Sequence, residues 1–423
     1  MMQIQFFTAK RAKFSFIKSL RVWRSSRLIF LFAVAAYALV SAKQVHGAAL
    51  SVPKGQAGIV LENVEAVYRF GEQIVFSAAL KTSLPIQNAS IVIFDEGFGV
   101  TRVLPLAVNA DGIMQFIFDV RQNVLRPFTL IRWHYELTLN NGEFFQSETF
   151  SLRYDDNRFE WQRLESNGLR VFWRSGDSTF GQNALNAALA GVRAVNEIFP
   201  VNLDQPIDIF IYPSQNDLAF LGADTWTAGH ANAALGVVLV AVEPGLDQSL
   251  QMDQRLPHEL MHVLSYRQIG AGYNNLPAWL REGLATLIEI NPTVEYDRVL
   301  LDASARGMLI PLLDLCASFP SQPDSAFLAY AESRSFIAYL RNTFGSSKLV
   351  ELARAYADGV TCDRGVEVVY GASFAQLEAR WRASALGENA WSAALRNIFP
   401  YLILCGIVLF IPLFIGFNAM RKK

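Results

Sequence analysis

The sequence predicts an α+β chain: an N-terminal β-sandwich, then a domain of mixed sheet plus helices, then an apolar C-terminal helix. Three observations predict it. Short β-rich runs recur between turn signals from residue 49 to 155. From 156 to 390, strand patterns give way to helical ones. From Ile398 to Phe417, twenty residues carry no charge.

Taken in order, residues 1–47 read as a signal peptide. They hold eight basic residues and no acid, and Leu28 to Val40 is an apolar run of thirteen. That run suits a signal-peptide core and is short for a bilayer span. Cleavage fits after Ala42 or around Gly47-Ala48, and an uncleaved anchor is the alternative. The overall net charge of −1 hides this leader; without its cations, 29 basic residues face 38 acidic ones. The body is mildly acidic, so nothing in it suggests nucleic acid as a partner, and none is expected.

The runs at 58–68, 73–80, 89–95, 114–120, 129–139 and 143–154 read as strands of an Ig-like or fibronectin-like sandwich over 49–155. Pro85, Asp111-Gly112 and Asn140-Asn141-Gly142 supply the turns, the last between two long strands. Trp133 is expected in the core, and His134 beside it faces the other way as an exposed bystander. This domain serves either as a spacer or as a docking module. Asp155-Asp156-Asn157-Arg158 marks the boundary.

Beyond it come strands at 169–173, 207–212 and 234–242, a helix over 181–199 and a short helix near Asp217. They lead into His258-Glu259-Leu260-Met261-His262. Residues four apart share one helix face, so His258 and His262 can grip one metal ion. Glu259, one step round, reaches a water on that metal rather than the metal itself. Catalytic zinc takes three protein ligands and leaves its fourth position to water. Glu282, in Trp279-Leu280-Arg281-Glu282-Gly283-Leu284-Ala285, is the best third ligand. Asn275 reads as the N-cap of that second helix, with Pro277 in its first turn and Asn291-Pro292 as its stop. Pro257 should start or kink the first helix, since an interior proline costs about 3 kcal/mol. Two of the five histidines fall in this one motif, on an apolar helix where they need a partner. No phosphate-binding Gly loop, Cys-x-x-Cys pair, or serine or cysteine nucleophile motif is present.

The pair of blocks resembles the gluzincin metallopeptidases, and most closely their peptidase MA-like members, over about 160 to 385. The aminopeptidase N-type enzymes carry a similar second block. The resemblance implies that His258, His262 and Glu282 bind zinc, one ion per chain, and that Glu259 is the general base. It implies a peptide or protein substrate, extended along an edge strand at Ala228-Gly229-His230-Ala231-Asn232, with His230 either a loop residue or a substrate contact. Thermolysin-like enzymes place an Asp four residues after the ligand Glu; here Thr286 stands there, and Glu289 fits the aminopeptidase-like spacing better. Gluzincins stabilise the oxyanion with a downstream Tyr or His. No His follows His262, so Tyr330 is the implied donor, with Tyr296 next and Tyr339 more suited to the core.

Helical patterns continue at 325–342, 347–358 and 373–386. Ile398–Phe417 then reads as a transmembrane helix, with Arg421-Lys422-Lys423 in a cytoplasmic basic tail, 418–423. The expected protein is a single-pass cell-membrane zinc metallopeptidase whose catalytic domain is extracytoplasmic. The alternative is a catalytically idle surface protein that binds zinc structurally and acts through its β-domain. In an oxidising compartment Cys316 and Cys362 can pair, two separate thiols being the alternative.

Overall fold

The computed structural model describes residues 58–221, 228–388 and 398–408. The leader over 1–47 lies outside the described residues. The chain divides into two compact units, Met1–Asn157 and Arg158–Lys423.

The first unit holds β1 (Ile59–Arg69), β2 (Gln73–Thr82), β3 (Ile86–Asp95), β4 (Val100–Pro105), β5 (Ile113–Asp119), β6 (Leu130–Leu139), β7 (Phe144–Gln146) and β8 (Phe150–Arg153). One sheet orders β1-β2-β5; the other orders β4-β3-β6-β7, with β8 also on β6. The alternation in β6 is what a one-sided strand needs: Ile131, Trp133, Tyr135, Leu137 and Leu139 are all buried. Trp133 meets Phe76 of the other sheet with ring centroids 5.1 Å apart, which makes the unit a sandwich. His134 is not the exposed residue expected; it is half-buried, with Nε2 3.3 Å from Glu136 Oε1. The single strand expected over 143–154 is two. Ser147 divides it, because its hydroxyl accepts the Tyr135 amide at 2.9 Å and donates to the Glu148 carbonyl at 2.7 Å.

The second unit opens with β9 (Gln162–Ser166), β10 (Leu169–Trp173), α1 (Ser178–Asn196), β11 (Ile207–Tyr212), α2 (Gln215–Phe220), β12 (Gly229–Asn232) and β13 (Val237–Ala241). The sheet orders β12-β13-β11-β10-β9. Strands β10, β11 and β13 are parallel, whereas β9 and β12 run antiparallel at the two edges. Every residue of β11 and β13 is buried, as expected of strands covered on both faces. Among the described residues the segment expected to be an edge stands at the edge of the sheet, Gly229–Asn232 pairing with β13.

Helices follow: α3 (Gln248–Ile269), α4 (Ala278–Leu287), α5 (Glu295–Arg306), α6 (Pro323–Phe344), α7 (Ser346–Ala357), α8 (Cys362–Tyr370) and α9 (Phe374–Ala385). Helix α3 lies along α1 and against β12 and β13. Its buried Met252, Leu256, Leu260 and Val263 join Leu169, Val171, Ala184 and Ala188 in one core. Each fully buried Leu or Ile there contributes roughly 1.5–3 kcal/mol.

Pro257 does not start α3. The helix begins nine residues earlier, at Gln248, and runs through the proline. A proline leaves the carbonyl four residues back without its donor. That carbonyl, Asp253 O, accepts the Ile290 amide at 3.0 Å, so part of the usual cost is offset.

Residues 398–408 are helical and largely exposed. The remainder of the expected span, 409–417, and the basic tail lie outside the described residues. Among the described residues no helix is long and apolar enough to cross a membrane.

Cys316 and Cys362 form a disulfide across 46 residues of chain. It ties the start of α8 to the segment that meets α4, where the Ala278 amide donates to the Cys316 carbonyl at 2.9 Å. In the chain-entropy model a loop of this size is worth about 4 kcal/mol. Cys316→Ser should therefore lower the unfolding free energy by that order, read as a lower denaturant midpoint. An unchanged midpoint would contradict the assignment.

Candidate metal centre

Helix α3 sets His258 and His262 one turn apart, with ring centroids at 5.2 Å. Leu260, Met261, Val263 and Leu264 anchor the helix in the core, so the imidazoles face α4. The chain returns through a tight 3₁₀ turn, Gly270–Asn275. Asn275 is not the expected N-cap, because its side chain donates to the Ala357 carbonyl at 3.1 Å. Pro277 stays extended at φ −55°, ψ 145°, and the helix opens at Ala278.

This return brings Glu282 Oε2 to 3.5 Å from His258 Nε2 and 3.7 Å from His262 Nε2. The three ligand atoms lie within 4.8 Å of one another. Zinc–ligand bonds of about 2.0–2.2 Å place tetrahedral donors roughly 3.4 Å apart, so two imidazoles and a carboxylate in this arrangement fit the ion.

The far sides of both rings are also engaged. His258 Nδ1 lies 3.2 Å from Glu289 Oε1. Burial opposes charge on His258, but its contacts with Glu282 and Glu289 outweigh it and lift the imidazole to about 10; with Nδ1 donating to Glu289, Nε2 is the nitrogen that would give up its proton to a metal. Glu289 thus stands behind the ligand rather than among the ligand atoms. Thr286, at the position of the thermolysin-like Asp, instead donates its hydroxyl to the Glu282 carbonyl at 2.8 Å. His262 Nδ1 sits 2.7 Å from the Tyr273 hydroxyl. Tyr273 was not anticipated; its only trace in the sequence is an aromatic inside the glycine-rich turn.

The electrostatics follow from burial among these partners. Burial lifts the Glu259 carboxyl to about 7, with the Glu282 and Glu289 charges adding to it against the pull of His258. Burial also opposes charge on Glu282, but His262 and His258 outweigh it and hold that carboxyl down to about 2. Burial pushes the His262 imidazole down to about 4, which leaves it neutral as a ligand must be. A carboxyl titrating near neutrality beside an ionised one divides the roles: Glu259 can move protons, and Glu282 can bind.

Two glycines let the surroundings close in. A Cβ at Gly229 would sit 2.3 Å from Glu259 Oε1, so the backbone of edge strand β12 touches the carboxyl. A Cβ at Gly283 would sit 2.8 Å from both the Ser333 carbonyl and Ile337, so α4 and α6 approach closely. That approach brings Tyr330 to the site, its ring 6.0 Å from His258. Burial, then the Glu282 and Glu259 charges, keep its phenol protonated well above its usual range. The other tyrosines serve elsewhere. Tyr296 donates to Glu289 at 3.5 Å, Tyr356 donates to the Cys362 carbonyl at 2.7 Å, and Tyr339 stacks on Phe336. His230 is exposed on β12, near enough to His262 to act on its charge.

Residues 187–387 match the model of the Peptidase MA superfamily. This segment has the gluzincin, peptidase MA-like fold. The match begins within α1 and takes in the strands from β11 onward and all the helices that build the centre. No curated protein matches the chain. Among solved structures, a mutant of an M1 zinc metallopeptidase from Deinococcus radiodurans is 13% identical, over 79% of this chain and 95% of that one, with a TM-score of 0.33. An aminopeptidase N family protein from Idiomarina loihiensis is 9% identical, over 76% of this chain and 70% of that one, with a TM-score of 0.29. A cycloalternan-degrading enzyme from Trueperella pyogenes is 16% identical at a TM-score of 0.17; 26% of this chain is covered, and it spans only 13% of that enzyme. Likenesses this loose add nothing to the family match.

In the peptidase MA-like domain, removing either group behind the imidazoles should loosen the metal. Glu289→Gln and Tyr273→Phe should each weaken zinc binding about 10–100-fold in a chelator competition. Wild-type affinity in either variant would show that its partner imidazole does not depend on it.

Proposed function

We propose that the chain is a membrane-anchored, extracytoplasmic zinc metallopeptidase that hydrolyses peptide bonds. One observation carries the reading: three zinc-type donors converge beside a buried carboxyl that is not one of them. The donors His258, His262 and Glu282 would hold one zinc ion per chain and leave a coordination position free. Bound there, zinc supplies Lewis acidity and lowers the pKa of a water toward ~7.

The chain's own residues carry the rest. Glu259 takes a proton from the attacking water and returns it to the leaving amine, a role suited to a carboxyl near neutrality. Tyr330, protonated and facing the triad, donates to the oxyanion that forms on the scissile carbonyl. The position of β12 at the sheet's edge supports docking of an extended peptide along it, and its contact with Glu259 would bring that peptide to the base. The uncharged run Ile398–Phe417 with its basic flank supports anchoring through the C-terminus, and the basic leader supports export.

Glu259→Gln should retain zinc and lose hydrolysis of a peptide library. Tyr330→Phe should lower kcat by about 10²-fold with zinc content and KM little changed, as for an interaction made only in the transition state. Wild-type cleavage by the Gln variant would refute the mechanism; full kcat in the Phe variant would remove Tyr330 from the oxyanion role.

A further inference from the structure

Pro257 stands immediately before the first metal-type histidine, inside a 22-residue helix. Its missing amide frees the Asp253 carbonyl, and the amide that takes its place comes from Ile290, just past the end of α4. Two side-chain bonds reinforce the contact. Asn291 Nδ2 donates to Asp253 Oδ2 at 2.7 Å, and Gln254 Nε2 donates to the Asn291 carbonyl at 2.9 Å. Three hydrogen bonds thus join residues 253–254 of α3 to residues 290–291. Ile290 is the neighbour of Glu289, whose carboxylate meets His258 Nδ1. Fixing the Ile290 amide fixes the backbone from which Glu289 reaches back.

We propose that Pro257 is a positioning residue: by withholding an amide, it lends the Asp253 carbonyl to Ile290, and this latch sets Glu289 behind His258. An ordinary residue at 257 would compete for the Asp253 carbonyl from within its own helix and weaken the backbone anchor of the segment after α4. The latch acts on the metal through the orientation and basicity of one imidazole. Its consequence for zinc rests on the proposed metal reading, but the latch itself can be measured without metal.

The test is Pro257→Ala in the full chain. In the metal-free protein, hydrogen exchange at the Ile290 amide should be slow in wild type and faster by about 10-fold or more in the variant. Zinc affinity by chelator competition should fall about 10-fold, and the visible spectrum of the cobalt-loaded protein should shift with ligand geometry. A proline that is merely tolerated predicts the reverse: alanine is the better helix former, so the variant would melt higher with Ile290 exchange and zinc affinity unchanged. That result overturns the latch. If the variant does not fold, Asp253→Ala and Asp253→Asn decide on the same readouts. The first should lose zinc affinity and the second, which keeps an acceptor for Asn291, should recover it; wild-type affinity in both overturns the proposal. A wild-type chain that takes up no zinc, yet shows the exchange difference, would reject the metal reading and keep the latch.

Discussion

The convergence of His258, His262 and Glu282 within 4.8 Å constrains everything around it. An ionised carboxylate drawn partly out of water is costly unless it is paired. Glu282 is tolerated there because two imidazoles face it, and they can face it only if α4 folds back onto α3. The tight turn at Gly270–Asn275 makes that return, and Gly283, lacking a Cβ, lets α6 close over it. Packing and chemistry are therefore one arrangement: the contacts that bury the centre also set the distances between its donors.

A second layer holds the first in place. Each imidazole has its outer nitrogen against a partner, Glu289 for His258 and Tyr273 for His262. The partners come from opposite ends of α4, one before it and one after it. Glu289 receives further support from the Tyr296 hydroxyl. The disulfide and the Asp253–Ile290 bond secure the two ends of the same helix. Rigid support of this kind is what separates a working site from one that is merely present, because a small misplacement of a ligand or base costs much of the rate.

How much was legible follows from how local each signal is. Parallel strands β10 and β11 stand where their apolar runs put them, since a buried strand announces itself by composition alone. The histidine pair needed only helical spacing, and Glu282 needed one further block of matching pattern. Glu289 was visible as a spacing, but its place behind His258 required the two helices to be docked. Tyr273 was illegible because a hydroxyl in a turn has no periodicity to betray its target. Pro257 misled for the same reason. Its local rule is to break a helix, and the compensating donor lies 33 residues away in sequence, at Ile290. The split of the 143–154 strand likewise turned on one side chain, Ser147, taking a ladder position.

Metal content measures the central claim most directly. The purified chain should bind one zinc ion tightly, and His258→Ala, His262→Ala and Glu282→Ala should each lose most of it while remaining folded. Retention of the full equivalent by Glu282→Ala, or no zinc uptake by the wild-type chain, would contradict the account.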